Sequence, residues 1–179
     1  MIRKLSTDEL NRKSIDEFKT SHKTPIVVVL DNVRSLNNIG SIFRTADAFL
    51  IEAIYLCGIC ATPPHKEIHK TALGAEESVH WEYFPDTLNA IKLLKEKGFS
   101  LIAVEQTANS ISLESFPIKP SERYALIFGN EVKGIQQEVV NCSDKSVEIP
   151  QFGTKHSFNV SVSAGIVLWE WYKILKIKI

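Results

Sequence analysis

The sequence contains 179 residues, which is enough for one domain with a full hydrophobic core and short for two. Hydrophobic residues make up 44% and charged residues 23%, as in ordinary globular proteins, and no run approaches the roughly 18 apolar residues of a membrane span. Basic and acidic side chains balance at 21 each, so the overall charge argues mildly against nucleic-acid binding and is compatible with a local basic patch.

The first residues, Met1 to Ser6, contain a basic pair without an apolar segment, which excludes a secretory signal sequence. The three cysteines cannot all pair with one another, and nothing in the sequence indicates secretion. We therefore expect a cytoplasmic protein.

The first predicted element is a short surface helix over 6–18. Ser6 and Glu9 form a capping-box pattern at its start. Its modest apolar stripe consists of Leu10, Ile15 and Phe18. Residues 1–24 are therefore expected to form a short N-terminal helical extension.

From residue 25 onward, predicted strands alternate with predicted helices. The continuous β-branched run at 26–30 predicts a strand that is covered on both faces. Further strands are predicted at 53–56, 79–84, 100–104, 124–128 and 147–149. Helices are predicted at 38–50 with Asn38 as cap, at 86–97 between Asp86 and Gly98, at 135–140 and at 160–177. This alternation predicts an α/β fold, with a mostly parallel sheet flanked by helices.

Three segments join the end of a strand to a polar loop that contains glycine, which is where open α/β sheets bind ligands. The first is 30–49, where Asn37, Asn38 and Gly40 open a helix whose free N–H groups suit an anion. Arg44 follows one to two turns later. The alternative interpretation is a simple asparagine cap followed by a solvated pair of Arg44 with Asp47.

The second segment is 125–135, where a buried strand ends in Gly129-Asn130-Glu131 and a further glycine follows at 134. Such glycines indicate a sharp bend or close approach to a ligand, or an ordinary strand-to-helix turn. The third segment is 148–165, where an irregular loop leads to Ser157 and Asn159. Either residue could serve only as the cap of the last helix.

The three segments, in this order, resemble the three sequence motifs of the SpoU/TrmH branch of the SPOUT methyltransferases. Asn38, Gly40 and Arg44 resemble motif one, FGNEVKGI resembles motif two, and IPQFGTKHSFNVSVSAGIVL resembles motif three. The resemblance covers about residues 25–175 and defines 25–179 as a SpoU-type methyltransferase domain. It implies a trefoil knot near the C-terminus, a homodimer, and methyl transfer from S-adenosylmethionine to a ribose 2′-hydroxyl of tRNA or rRNA.

The resemblance also implies roles for individual residues. Arg44 is expected to contact the RNA and to stabilise the 2′-oxygen, because its pKa above about 12 makes arginine a poor base. The remaining residues expected to shape the active site are Asn38, Glu131, Ser157 and Asn159. The methyl-donor pocket is expected to involve Val104, Glu105, Gly129, Ile149, Ser157 and Phe158.

Some members of the family carry an extra N-terminal RNA-binding domain, and residues 1–24 are too short to form one, so we expect the methyltransferase domain to bind RNA itself or with a partner. A local basic surface is expected to serve this purpose. It comprises Arg34, Arg44, Lys66, Lys70, Lys133 and Lys155, with His65, His69 and His156 beside them. The same lysines could also be merely solvated.

Two other functions remain open from the sequence. A catalytically silent member of the family would bind RNA without transferring methyl groups. Cys57, Cys60, His65 and His69 have the spacing of a zinc knuckle, which would make the chain a metal-dependent nucleic-acid binding module. Because a structural zinc usually substitutes for a core, which this chain has, we expect no metal.

Overall fold

The computed structural model describes residues 1–6 and 8–176. Seven strands form one parallel sheet in the order β3-β2-β1-β6-β4-β7-β5. The strands are β1 Thr24–Asp31, β2 Ile51–Cys57, β3 Trp81–Phe84, β4 Phe99–Val104, β5 Ile111–Ser112, β6 Arg123–Phe128 and β7 Lys145–Glu148. The β-branched run of β1 lies inside the sheet, between β2 and β6, and is buried on both faces, as its composition predicts.

Helices cover both faces of this sheet. They are α1 Ile15–Thr20, α2 Leu36–Ala48, α3 Lys66–Ala72, α4 Ala75–Ser78, α5 Thr87–Glu96, α6 Gln137–Cys142 and α7 Val160–Leu175. One core layer joins the sheet to α2 and α7 through residues such as Ile39, Phe43 and Trp171. The opposite layer joins it to α5 and α6 through Ile91 and Val139. The predicted α/β architecture with a parallel sheet is therefore confirmed.

The N-terminal segment differs from its prediction. A 3-10 turn at Asp8–Leu10 and the separate helix α1 replace the single helix over 6–18, of which residue 7 lies outside the described residues. Asn11 adopts a left-handed φ of 46°, which interrupts the helix, and the capping box is formed by Ser14 and Glu17. Only Phe18 of the apolar stripe is buried. The segment is too polar to bury a longer helical face.

Several helix boundaries also shift. Helix α2 begins one turn earlier than predicted, because Ser35 and not Asn38 is its N-cap. The short helices α3 and α4 and the two-residue strand β5 are absent from the prediction. Asp86 caps α5 and Gly98 follows its end with a φ of 79°, as predicted. The last predicted helical position, residue 177, lies outside the described residues. Within the described chain, every helix is too short or too polar to cross a membrane.

Candidate active site

A large cleft opens where β4, β6 and β7 end. Because parallel strands present their carboxyl ends at one edge of the sheet, the loops that follow them meet there. The cleft has a volume of about 1270 Å³, ample for a ligand of nucleoside size. Its walls bring together nine of the residues predicted for the site, namely Val104, Glu105, Gly129, Glu131, Lys133, Ile149, Ser157, Phe158 and Asn159.

The loop after β6 forms one wall of the cleft and depends on two glycines. Asn130 N–H donates to Gly134 O at 3.0 Å, and Gly134 N–H donates back to Asn130 O at 2.9 Å, which closes the loop. Gly134 has a φ of +68°, where a side chain is strained. A Cβ on Gly129 would overlap the backbone of Gly134 and Ile135. The sharp bend inferred from these glycines is therefore present.

Glu105 holds this loop from the end of β4, the strand that pairs with β6. Its Oε2 accepts a hydrogen bond from Ile135 N–H at 3.0 Å, and its Oε1 accepts one from Gln106 N–H at 3.0 Å. The carboxylate lies against Gly134, where a Cβ would collide with it. Glu105 thus lines the predicted donor pocket and also positions the loop that forms its wall.

A chain of hydrogen bonds connects all three predicted motifs. The Glu131 carboxylate accepts from the backbone N–H of Ser35 at 2.9 Å and of Arg34 at 3.0 Å, and from Asn38 Nδ2 at 3.0 Å. Asn38 Oδ1 accepts from Asn159 Nδ2 at 3.1 Å. Asn159 Oδ1 in turn caps α7. Each side chain therefore fixes the next, and the three loops hold one another in place.

Glu131 carries a negative charge in this network. Burial alone raises the pKa of its carboxyl group, but the hydrogen bonds from Arg34, Ser35 and Asn38 outweigh that effect and lower the pKa below its ordinary value of 4.5. The ionised carboxylate lies at the N-terminus of α2, where the helix dipole also favours a negative charge.

Sequence reasoning missed Asp31, which ends β1 and is fully buried. Its Oδ1 accepts from Thr87 Oγ1 at 2.6 Å and from Gln136 Nε2 at 2.8 Å, and its Oδ2 accepts from Gln136 N–H at 2.8 Å. These bonds fix the start of α6, which borders the cleft. The available signal was an acidic residue directly after a buried strand.

The predicted catalytic arginine lies apart from the cleft. Arg44 is exposed on α2, about 9 Å along the helix axis from Asn38, and is not among the described residues that line the cleft. The alternative interpretation, a solvated pair of Arg44 with Asp47, is not observed, because Asp47 accepts from Ser78 Oγ at 2.6 Å and no ion pair of Arg44 occurs within the described chain. Of the other residues predicted to bind RNA, Arg34, Lys66, Lys70 and Lys155 are likewise exposed and lie outside the cleft wall.

The residues with zinc-knuckle spacing do not converge. His65 caps α3 and His69 pairs with Glu76 at 2.5 Å, while the Cys60 thiol donates to Leu30 O. Burial raises the pKa of Cys60 to about 11 and raises that of Cys57 further, which disfavours the thiolate that binds metals. Among the described residues, the group able to share an ion is His69, Glu76 and Glu77 instead.

The comparison with protein families matches this geometry. The family described as SpoU rRNA Methylase matches residues 25–169, which include all three loops of the cleft. The chain belongs to this family. Within the SpoU family it is 30% identical to the 23S rRNA (guanosine-2'-O-)-methyltransferase RlmB of Vibrio parahaemolyticus, covering 90% of this chain and 64% of that protein. It thus spans less than two thirds of that relative's length.

One further relative and two solved structures are also similar to this chain. The tRNA (guanosine(18)-2'-O)-methyltransferase of Thermus thermophilus is 30% identical, over 90% of this chain and 81% of that protein. Among solved structures, the AdoMet-bound rRNA methyltransferase from Sinorhizobium meliloti superposes with a TM-score of 0.78 at 28% identity, covering 90% of this chain and 61% of that one. The TrmH/SpoU tRNA modifying enzyme of Aquifex aeolicus gives 0.78 at 26% identity, covering 89% and 79%.

Proposed function

We propose that this chain is a cytoplasmic RNA 2′-O-methyltransferase, which transfers a methyl group from S-adenosylmethionine (AdoMet) to a ribose 2′-hydroxyl of tRNA or rRNA. The observation that carries the proposal is the meeting of the motif-two and motif-three loops at one cleft, where Glu131 and Asn159 hydrogen-bond to Asn38 of motif one. The named activities of the SpoU relatives, on both rRNA and tRNA, point the same way.

The cleft suits AdoMet in size and in shape. Its volume exceeds the 300–1,000 Å³ that is typical of small-molecule sites, and the bare backbone at Gly129 and Gly134 lets a ligand approach closely. We propose that Val104, Glu105, Gly129, Ile149, Ser157 and Phe158 surround the donor. When bound there, AdoMet supplies a methyl group already activated by a positively charged sulfur.

Methyl transfer forms a bond from the 2′-oxygen to the methyl carbon, breaks the carbon–sulfur bond, and releases the proton of the hydroxyl. Because a hydroxyl is a weak nucleophile, the protein must orient it, which is worth up to about 7–11 kcal/mol in intramolecular reactions. We propose that Asn38, Glu131, Ser157 and Asn159 hold the loops for this alignment. Arg44 would stabilise the developing charge on the 2′-oxygen.

We propose that the chain acts as a homodimer in which Arg44 completes the cleft of the partner. Arg44 lies outside the cleft of its own chain. Helix α7 exposes Val162 and Trp169 at 49% and 48%, an apolar surface that a second copy would bury. This surface reaches α2, since Phe49 at the end of that helix stacks on Tyr172 of α7 at 5.0 Å. Light scattering is expected to give about twice the chain mass of 20.1 kDa.

We also propose that the C-terminal segment passes through a trefoil knot. The connection from β4 to β6 carries Phe116, whose ring contacts Trp171 of α7 at 5.0 Å. Trp171 also contacts Tyr124 of β6, at 5.8 Å. Helix α7 thus packs against both a preceding connection and the sheet, which supports a threaded chain.

Calorimetry with AdoMet tests the proposal directly. We expect one donor to bind per chain without added metal, and radioactive methyl groups to enter RNA in dinucleotides that resist alkaline hydrolysis, since that reaction needs a free 2′-hydroxyl. Absence of binding at millimolar AdoMet would refute the proposal that the chain is a methyltransferase. Donor binding without transfer to total cellular RNA would instead identify a catalytically silent member.

A further inference from the structure

We propose that Phe152 is a stacking platform for an unpaired base of the RNA substrate. The inference rests on the proposed function and adds to it how the acceptor is recognised, as a single-stranded or flipped-out nucleotide. Phe152 lies on the loop between β7 and α7 and was not among the residues expected to bind RNA.

The exposure of Phe152 is the first observation. Its side chain is 97% exposed, and Val132 on the loop after β6 is 78% exposed. Apart from Met1 and Ile2 at the chain end, these are the most exposed large hydrophobic side chains of the described residues. A fully exposed phenylalanine forgoes the stabilisation that burial of its ring would contribute. Scattered exposed residues need no explanation, but these two lie on loops that border the same cleft.

The position of Phe152 is the second observation. Gln151, which precedes it, and His156 and Ser157, which follow it, all line the cleft. The ring therefore extends from the rim of the proposed donor site, where the methyl acceptor must arrive. The loop that carries Phe152 is held by a hydrogen bond from Gln106 Nε2, in the loop after β4, to His156 O at 3.3 Å.

The charges beside Phe152 favour a nucleic acid over a protein partner. Lys155 and His156 follow it on the same loop, and Lys133 stands next to Val132 on the facing loop. In a chain with no net charge, this rim combines cations with an exposed aromatic ring. That combination binds single-stranded nucleic acids, in which lysines contact phosphates and bases stack on aromatic faces. A paired base in a duplex does not offer its face.

The test uses full-length protein saturated with S-adenosylhomocysteine, and an unstructured RNA oligonucleotide carrying one 2-aminopurine, whose fluorescence falls on stacking. We expect Phe152→Ala to weaken binding of this probe about tenfold and to abolish the quenching. Phe152→Trp should retain both signals, whereas Phe152→Leu should behave like Phe152→Ala. Ile15→Ala, which trims an exposed residue of α1, is the control and should bind as the wild type does.

Three results would overturn the proposal. The first is unchanged RNA affinity in Phe152→Ala. The second is that Phe152→Leu retains RNA affinity and quenching as fully as Phe152→Trp does, which would indicate apolar contact without stacking. The third is a loss of affinity for the donor product or of dimer mass in Phe152→Ala, which would mean that Phe152 covers the donor or contacts a second copy. Failure of the wild type to bind donor would count against the proposed function alone.

Discussion

The two ends of helix α2 are built in opposite ways. At its start, Asn38 and the N–H groups of Arg34 and Ser35 are bound to Glu131, and Asn38 is bound again by Asn159. Near its end, Arg44 is exposed and makes no ion pair within the described chain. This difference supports the proposal that one chain builds the donor half of the site, and that the acceptor half is completed by other molecules.

Replacement of Arg44 should have the largest effect on turnover. We expect Arg44→Ala to lower the rate of single-turnover methyl transfer by about 100-fold or more, comparable to the loss of one donor to an oxyanion. Affinity for AdoMet and unfolding stability should not change, because Arg44 is exposed and remote from the cleft. The rate is measured with RNA from a deletion strain, and donor affinity is measured by calorimetry.

Arg44→Lys sharpens the same prediction. The lysine retains the charge but lacks the planar guanidinium that can hold a phosphate and a hydroxyl together, so we expect poor recovery of the rate. Near-normal turnover in Arg44→Ala would show that the catalytic assignment is wrong, even if the protein transfers methyl groups.

On the donor side, Gly134→Ala should weaken donor binding with a smaller effect than the loss of Arg44. A left-handed φ costs a non-glycine residue about 1–2 kcal/mol, and the new Cβ would displace the Glu105 carboxylate. We expect about tenfold lower AdoMet affinity by calorimetry. Gly153→Ala is the matched control, because a Cβ there meets nothing within 4 Å. Equal effects of the two substitutions would argue against the role of the 130–134 loop.

The lowered pKa of Glu131 predicts that stability depends on pH, and this is the smallest of the expected effects. Its pKa is lowered by folding, so the stability it contributes is fully present above its ordinary pKa of 4.5 and is lost as the pH falls below that value. Urea unfolding at a series of pH values measures this contribution. Glu131→Gln should reduce stability at neutral pH and flatten the dependence between pH 5 and the lowered pKa. An unchanged slope in that variant would mean that other carboxyl groups dominate.

The sequence predicted the cleft proposed for the methyl donor better than the contacts proposed for the RNA. The alternating strands and the glycines at 129 and 134 depend on local backbone geometry, which residue types specify strongly. The cleft residues Val104, Ile149 and Phe158 were expected from the family resemblance, and the cleft contains all three. By contrast, the hydrogen bonds of Asp31 to Gln136 span 105 residues, and no local pattern encodes such a partner.

The short helices and the first residues of several helices also could not be predicted from the sequence. Helix α3 is packed so closely on α2 that a Cβ on Gly40 would overlap Ile68 and Thr71. That contact is tertiary and outweighs weak local propensities. Likewise, α6 begins at Gln137 because Ile135 and Gln136 donate their N–H groups to Glu105 and Asp31. The position of Arg44 relative to a second chain depends on assembly, which a single sequence does not specify.

A mixed-dimer experiment tests most directly whether the two halves of the site come from different chains. Arg44→Ala chains, whose rate of methyl transfer should be about 100-fold lower, are combined with Gly134→Ala chains, which should keep about a tenth of the wild-type rate at a limiting AdoMet concentration. If Arg44 acts in the partner's cleft, a mixed dimer contains one complete site, and random pairing should raise the rate to about a quarter of the wild-type rate. A mixture no more active than the average of its components, with mixed dimers shown by mass, would contradict this assignment, because Arg44 would then act in its own chain.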